Sequence, residues 1–228
     1  RQRQMCIRDR GYDAVVAGHS DFEAGHRVYD RVAREMRKAG VPFLAGNAVS
    51  ERTGKGYLPA YSIVRKGGVK VAVLGYTNAA NASLMDASCV SGISFKSLLP
   101  LVQEDVDKVR SKEKPQVVIV VAHTSMGKGD GQNLERQGLD LFNSLKGVDV
   151  LVTGHDHSTK VLKTDSTVLL DCGRAGQYAC LADINLVVRG GKVISRSLSG
   201  EVESFGSENY DTAMEEAFKS DSEKVRDF

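Results

Sequence analysis

The sequence predicts an α/β layered sandwich in which crossover helices cover a largely parallel sheet. Two patterns carry that expectation. Short apolar runs alternate with helix-period stretches up to about residue 150, and beyond it short runs are split by glycine-rich turns. A third observation sets the scale: 228 residues, 41% of them hydrophobic, supply the core of one large domain and exclude a disordered tail or a disulfide-stapled miniprotein.

Residues 13–18 (DAVVAG) form a short apolar run ending in glycine, a buried strand. A helix over 24–39 follows, with Val28, Val32 and Met36 on one face and Gly40 and Pro42 closing it. Residues 41–46 read as a second strand. The runs 61–64 and 69–74, joined by Gly67 and Gly68, read as a hairpin. Leu98, Leu99, Val102, Val106 and Val109 predict a helix from 95 to about 112, and Pro115 precedes a wholly apolar strand over 117–122. The alternation repeats as a helix over 134–145 and a strand over 148–152. The runs 160–162, 167–170, 180–188 and 192–199 then predict antiparallel sheet.

Charge and composition exclude several functions. The net charge is +2, from 31 Lys+Arg against 29 Asp+Glu, and no dense basic run marks a nucleic-acid footprint, so a polymeric nucleic acid is not the expected partner. No run of 18 apolar residues predicts a membrane span. Cys6, Cys89, Cys172 and Cys180 have no CxxC spacing and read as plain buried or partly buried thiols, which excludes zinc-ribbon and thioredoxin chemistry.

Both ends depart from the rest. Residues 1–10 (RQRQMCIRDR) hold four arginines with no helix or strand period. They resemble translated sequencing-adapter text and are set aside as non-native, with a native start expected upstream. Residues 11–200 then form the domain. Residues 201–228 carry nine acidic against three basic residues, and Tyr210, Met214 and Phe218 recur every four positions on a helix expected over 211–225. That helix either docks on its own domain or links it to another.

Four of the five histidines fall just past the carboxyl end of a predicted buried strand: His19 in GHSD, His123 in AHTS, His155 and His157 in GHDH. Ligands of open α/β sheets collect at that rim. Neutral imidazole suits borderline metals such as Zn, Mn or Fe. In GHDH an extended backbone would turn His155 and His157 to the same side and Asp156 away. Gly18 and Gly154 suit a tight exit from their strands. His26, early in its helix, reads as a surface residue.

These residues carry a resemblance. The run GYDAVVAGHSDFEAG (11–25) resembles the G-N-H-[DE]-x-[DE] block of calcineurin-like metallophosphoesterases, on the 5′-nucleotidase and 2′,3′-cyclic-nucleotide phosphodiesterase side. VVIVVAHTS (117–125) and VDVLVTGHDH (148–157) resemble that family's single-His and G-H-x-H blocks, in the same order. The resemblance implies an α/β/β/α sandwich, incomplete at its N-terminus, and two divalent metal ions about 3.5–4 Å apart that share an attacking hydroxide. It places His123 and His155 on the second metal and His157 on the first. It further implies a phosphate-ester substrate, a nucleotide, with a downstream domain reading the base, and leans towards export from the cytoplasm.

Two departures qualify it. The D-x-H and G-D blocks that would complete the first metal are absent before Gly11. Within the first block, His19 stands where the family has a metal-binding Asn, Ser20 stands at the position of the catalytic His, and Glu23 at that of the acid orienting it. A hydroxyl cannot replace imidazolium, a loss of roughly 10²–10⁴ in rate. A one-residue slip would instead make His19 the catalytic histidine and delete the Asn. Three classes therefore stay open: a phosphoesterase, a silent relative that binds a ligand or partner through the same cleft, and a doubly wound domain of unrelated chemistry, which would make the histidine placement a coincidence.

Other candidates are weaker. TGKG at 53–56 lacks the spacing of a phosphate loop and reads as a turn. MGKGDG at 126–131 reads as a flexible loop or an anion-facing one. Arg174 either reaches phosphate or faces solvent, and Asn47 and Asn78 either border the cleft or cap loops. Asp21 is either an outer partner of a ligating histidine or the cap of the following helix.

Overall fold

A computed structural model describes residues 11–131 and 133–205, together with positions 212, 213, 216 and 219, which are helical. The decapeptide, Cys6, and the expected face of Tyr210, Met214 and Phe218 lie outside the described residues.

The centre is a six-stranded sheet. In spatial order its strands are β4 (Tyr61–Lys66), β5 (Val69–Tyr76), β7 (Val117–Ala122), β8 (Val150–Thr153), β10 (Val168–Cys172) and β9 (Thr159–Lys163). The four inner strands run parallel and the two edge strands antiparallel. β4 and β5 meet in the expected glycine hairpin. Gly67 and Gly68 have φ of 56° and 78°, and a two-residue turn that follows strand twist needs positive φ at both positions.

One face of the sheet is covered by the helices Leu98–Glu113 and Gly138–Ser144. Leu98, Val102, Val106 and Val109 lie fully or almost fully buried against Leu74, Val118, Val120, Ala122, Leu151 and Leu169. Each such side chain contributes about 1.5–3 kcal/mol by leaving water.

The opposite face carries two small sheets. β1 (Val15–Val16) pairs in parallel with β2 (Phe43–Leu44), and this ribbon lies on β5 at Gly75, where a Cβ would sit 2.5 Å from Leu44 Cβ and 2.7 Å from Val16 Cγ2. The hairpin of β11 (Tyr178–Arg189) and β12 (Lys192–Ser204) lies on β10 at Gly200, where a Cβ would meet Val168 Cγ1 at 2.6 Å. Outside the first ribbon, the helix His26–Lys38 buries Tyr29 and Met36 with Phe22, Val41 and Phe43. The layers are therefore helix, sheet, sheet, helix, as expected. A short antiparallel pair, β3 (Ala48–Ser50) with β6 (Ile93–Phe95), completes the strands.

Several local expectations change. The helix expected over 24–39 is present as His26–Lys38, and a short helix the sequence did not announce, His19–Glu23, precedes it across Gly25 with φ of 73°. The last four runs are not one antiparallel sheet: β10 pairs antiparallel with β9 but parallel with β8 inside the main sheet, while β11 and β12 form an antiparallel hairpin of their own. Cys172 and Cys180 are not free thiols but form a disulfide across a Cα separation of 5.5 Å, tying the end of β10 to the start of β11. Cys89 is a free thiol whose Sγ contacts the Glu23 carbonyl at 3.2 Å. His26 is half-buried rather than a surface group, its ring bonded to the Tyr29 hydroxyl at 2.7 Å and the Ser91 carbonyl at 2.7 Å.

Candidate metal centre

Three strand ends bring three histidines together. His19 follows β1 and opens the helix His19–Glu23, His123 follows β7, and His155 follows β8. β7 and β8 are parallel and in register at Ala122 and Thr153, so their carboxyl ends open at one rim. The backbone N–H of His123 donates to Tyr76 O, which fixes the residue at the end of β5 as well. Gly18 leaves room for the His123 ring: a Cβ there would sit 3.3 Å from Cε1. No such contact arises at Gly154, around which a Cβ would meet nothing within 4 Å.

The ring nitrogens form a tight triangle. His19 Nδ1 lies 2.8 Å from His123 Nε2, and His155 Nδ1 lies 3.2 Å from each. An ion about 2.0–2.1 Å from each imidazole nitrogen holds neighbouring ligand atoms about 3.0–3.4 Å apart. The donor set fits a divalent cation, and among the described residues it is the one group of three His, Cys, Asp or Glu so arranged.

Protonation favours the same use. Burial, followed by the charges of His155, His19 and His157, pushes the His123 imidazole down to about 4. Burial and His155 also hold His19 below the ordinary histidine value, partly offset by Glu23, Asp21 and Glu135. Both rings are neutral at pH 7 and keep a lone pair for an ion.

Acidic groups stand around the triangle, not in it. Glu135 Oε1 lies 2.9 Å from His155 Nε2. The backbone of that residue is anchored, its carbonyl accepting from Asn78 Nδ2 at 3.1 Å and Thr124 Oγ1 at 2.9 Å. Glu23 Oε1 lies 3.7 Å from His19 Nε2, and the Ser20 hydroxyl lies 3.4 Å from the same nitrogen. Asp21 accepts from the Gly18 N–H at 2.9 Å, a cap at the start of its helix.

The other expected site residues lie outside the triangle. His157, expected on the other metal, is exposed. The extended geometry expected of GHDH is absent: His155 and His157 have φ of 93° and 62°, outside the strand region, so the alternation of an extended backbone does not apply. Asn47 is fully buried and committed to the fold: its Nδ2 donates to Thr77 O and Lys96 O, and its Oδ1 accepts from Thr77 N–H. Both polar atoms of its amide already have partners within the fold. Arg174 is exposed in the turn between β10 and β11, facing solvent.

Two residues at the rim carried no sequence signal. Glu135 sits three positions ahead of the helix Gly138–Ser144, inside what periodicity assigns to helix, and its role comes only from the loop returning over His155. Asp171, at the end of β10, is fully buried, with the Ser158 hydroxyl 3.0 Å from Oδ2. Burial, then the nearby Asp156, raises its carboxyl to about 6.

No family model matches the chain. It is 27% identical over 148 residues to a 5′-nucleotidase of Vibrio cholerae serotype O1, a match covering 64% of this chain and 26% of that protein. It is 26% identical over 162 residues to Protein UshA of Yersinia enterocolitica, covering 68% and 28%. The chain thus spans between a quarter and a third of these curated relatives. Among solved structures, the calcineurin-like phosphoesterase YfkN from Bacillus subtilis superposes with a TM-score of 0.80 at 19% identity, over 97% of this chain and 72% of that one. A 5′-nucleotidase precursor from Thermus thermophilus does so with a TM-score of 0.71 at 19% identity, over 99% and 46%. In fold the chain is similar to a calcineurin-like phosphoesterase, and in sequence to 5′-nucleotidases.

Proposed function

We propose that this chain is the portion of a metal-dependent phosphoesterase that holds one divalent ion through His19, His123 and His155, and that the whole protein hydrolyses phosphate esters of nucleotides. The observation that carries the reading is the nitrogen triangle, with edges of 2.8, 3.2 and 3.2 Å, built from three separate strand ends. The names of the sequence relatives support a nucleotide substrate.

A bound ion would supply Lewis-acid polarisation of a phosphoryl oxygen and acidification of a water. The chain's own residues do the rest. The three half-buried imidazoles bind through unprotonated nitrogens. Glu135 orients His155 through Nε2, leaving Nδ1 for the ion. His157, exposed at the rim and close enough for its charge to lower His123, is available to a second ion completed by carboxylates from elsewhere in the whole protein. The Cys172–Cys180 disulfide supports an oxidising compartment outside the cytoplasm.

Ser20 favours a second reading, a silent domain that binds without turnover. Its exposed hydroxyl stands 3.4 Å from His19 Nε2 and offers a phosphate oxygen no positive charge. The two readings separate in an assay of the whole protein, with Mn²⁺ or Zn²⁺, against a nucleotide and a chromogenic phosphodiester. Turnover by the natural sequence that is lost on chelation supports the enzyme. Turnover only after Ser20→His supports the silent domain.

A further inference from the structure

Resting on the metal-site reading above, we propose that His19, His123 and His155 form an all-imidazole cap that selects zinc, cobalt or nickel over magnesium, calcium and manganese, with Glu135 as the positioning residue of His155.

The donor atoms decide the class. All three inward atoms are ring nitrogens, and no carboxylate oxygen belongs to the group. Magnesium and calcium depend on oxygen ligands and on anionic charge to offset dehydration, neither of which three imidazoles provide. Nitrogen sites bind divalent first-row ions more tightly from manganese towards nickel and copper, with zinc also well above manganese.

The nearby acids act on the rings. Glu135 reaches the outer nitrogen of His155 at 2.9 Å, and Glu23 faces the outer nitrogen of His19 at 3.7 Å. A carboxylate accepting from Nε2–H leaves the inward Nδ1 of His155 with its lone pair and makes the ring a stronger donor. His19 is the residue that makes the cap all-nitrogen, because the resemblance places a carbonyl-bearing Asn at that position.

The test uses the full chain, stripped of metal with a chelator. Cobalt is titrated and followed by its visible absorption, and the other ions then compete. The expected result is one cobalt per chain, displaced by zinc at stoichiometric concentration and not by a hundredfold excess of magnesium, calcium or manganese. His19→Asn narrows the gap between zinc and manganese. Glu135→Ala weakens cobalt by about 10–100-fold and Glu135→Gln, which keeps an acceptor oxygen, restores most of it. Nitrogen NMR of the metal-free chain reads the His155 tautomer directly, Nε2–H in the natural chain and a mixture in Glu135→Ala. Displacement of cobalt by magnesium or manganese at comparable concentration overturns the selectivity while leaving the metal site intact. Absence of cobalt binding, or binding unchanged by His123→Ala in a chain with an unaltered unfolding midpoint, overturns both.

Discussion

His19 and His123 are 104 positions apart in the chain, yet their ring nitrogens stand 2.8 Å from one another. Nothing local forces that approach. It follows from two sheets stacked face to face, with β1 on one and β7 on the other, and from the absent side chain of Gly18 against which the His123 ring lies.

The stacking predicts that Gly75 controls the site from a distance. A methyl at Gly75 would meet Leu44 and Val16 and push the β1–β2 ribbon off the main sheet, carrying His19 with it. Gly75→Ala should destabilise the chain by about 1–3 kcal/mol and also weaken metal binding. Gly200→Ala makes an equally close contact, with Val168 and Leu170, under the other hairpin. It should lower the unfolding midpoint and leave metal affinity unchanged. Denaturant titration and calorimetry on both variants check the contrast.

At the amino end of the same strands, Asp149 is almost fully buried and accepts from the Val118 N–H at 2.7 Å, from Arg110 at 3.2 Å and from Arg196. Asp149→Ala leaves a buried N–H without its acceptor and two part-exposed guanidinium groups without their carboxylate, a loss of about 1–3 kcal/mol. The expected result is a large drop in unfolding midpoint.

Acidification should destabilise the metal-free chain. A histidine held below its unfolded value favours the neutral form when folded, so its contribution is present above pH 6.5 and lost as pH falls towards about 4. For His123 the loss is at most on the order of 3 kcal/mol. Unfolding midpoints between pH 7 and pH 4 should fall in that window, and a His123→Gln variant should show a flatter profile. Metal affinity should weaken over the same range, because protons and the ion compete for the same lone pairs.

The disulfide closes a short loop of the chain and should stabilise it by about 2–3 kcal/mol. A non-reducing digest should yield the peptides bearing Cys172 and Cys180 joined, and Cys172→Ser should lower the unfolding midpoint without reductant and have little effect with it, where the natural chain has lost the bond as well.

What the sequence made legible was periodic or terminal. The apolar run at 117–122 is a strand with those bounds, and the helix carrying Leu98, Val102, Val106 and Val109 buries that stripe. Histidines after strand ends pointed to one rim because parallel strands open their carboxyl ends on the same side. What failed depended on non-local geometry or on single dihedrals. The alternation that an extended HxH implies does not hold, because His155 and His157 both have positive φ. The short helix His19–Glu23 ahead of Gly25 carries a single buried apolar residue, Phe22, and so no period that could announce it. The pairing of Cys172 with Cys180 follows from where β10 hands over to β11, and no short cysteine motif announces it. Glu135 reaches His155 across twenty positions through a loop whose course periodicity does not report.

The central claim is that His19, His123 and His155 hold one ion together, and calorimetric titration of zinc into the metal-free full chain tests it most directly. The predicted result is a single site per chain that disappears in His123→Ala while the unfolding midpoint stays within a few degrees of the natural chain. Zinc binding that survives the removal of all three histidines, or no binding by the natural chain, would contradict it.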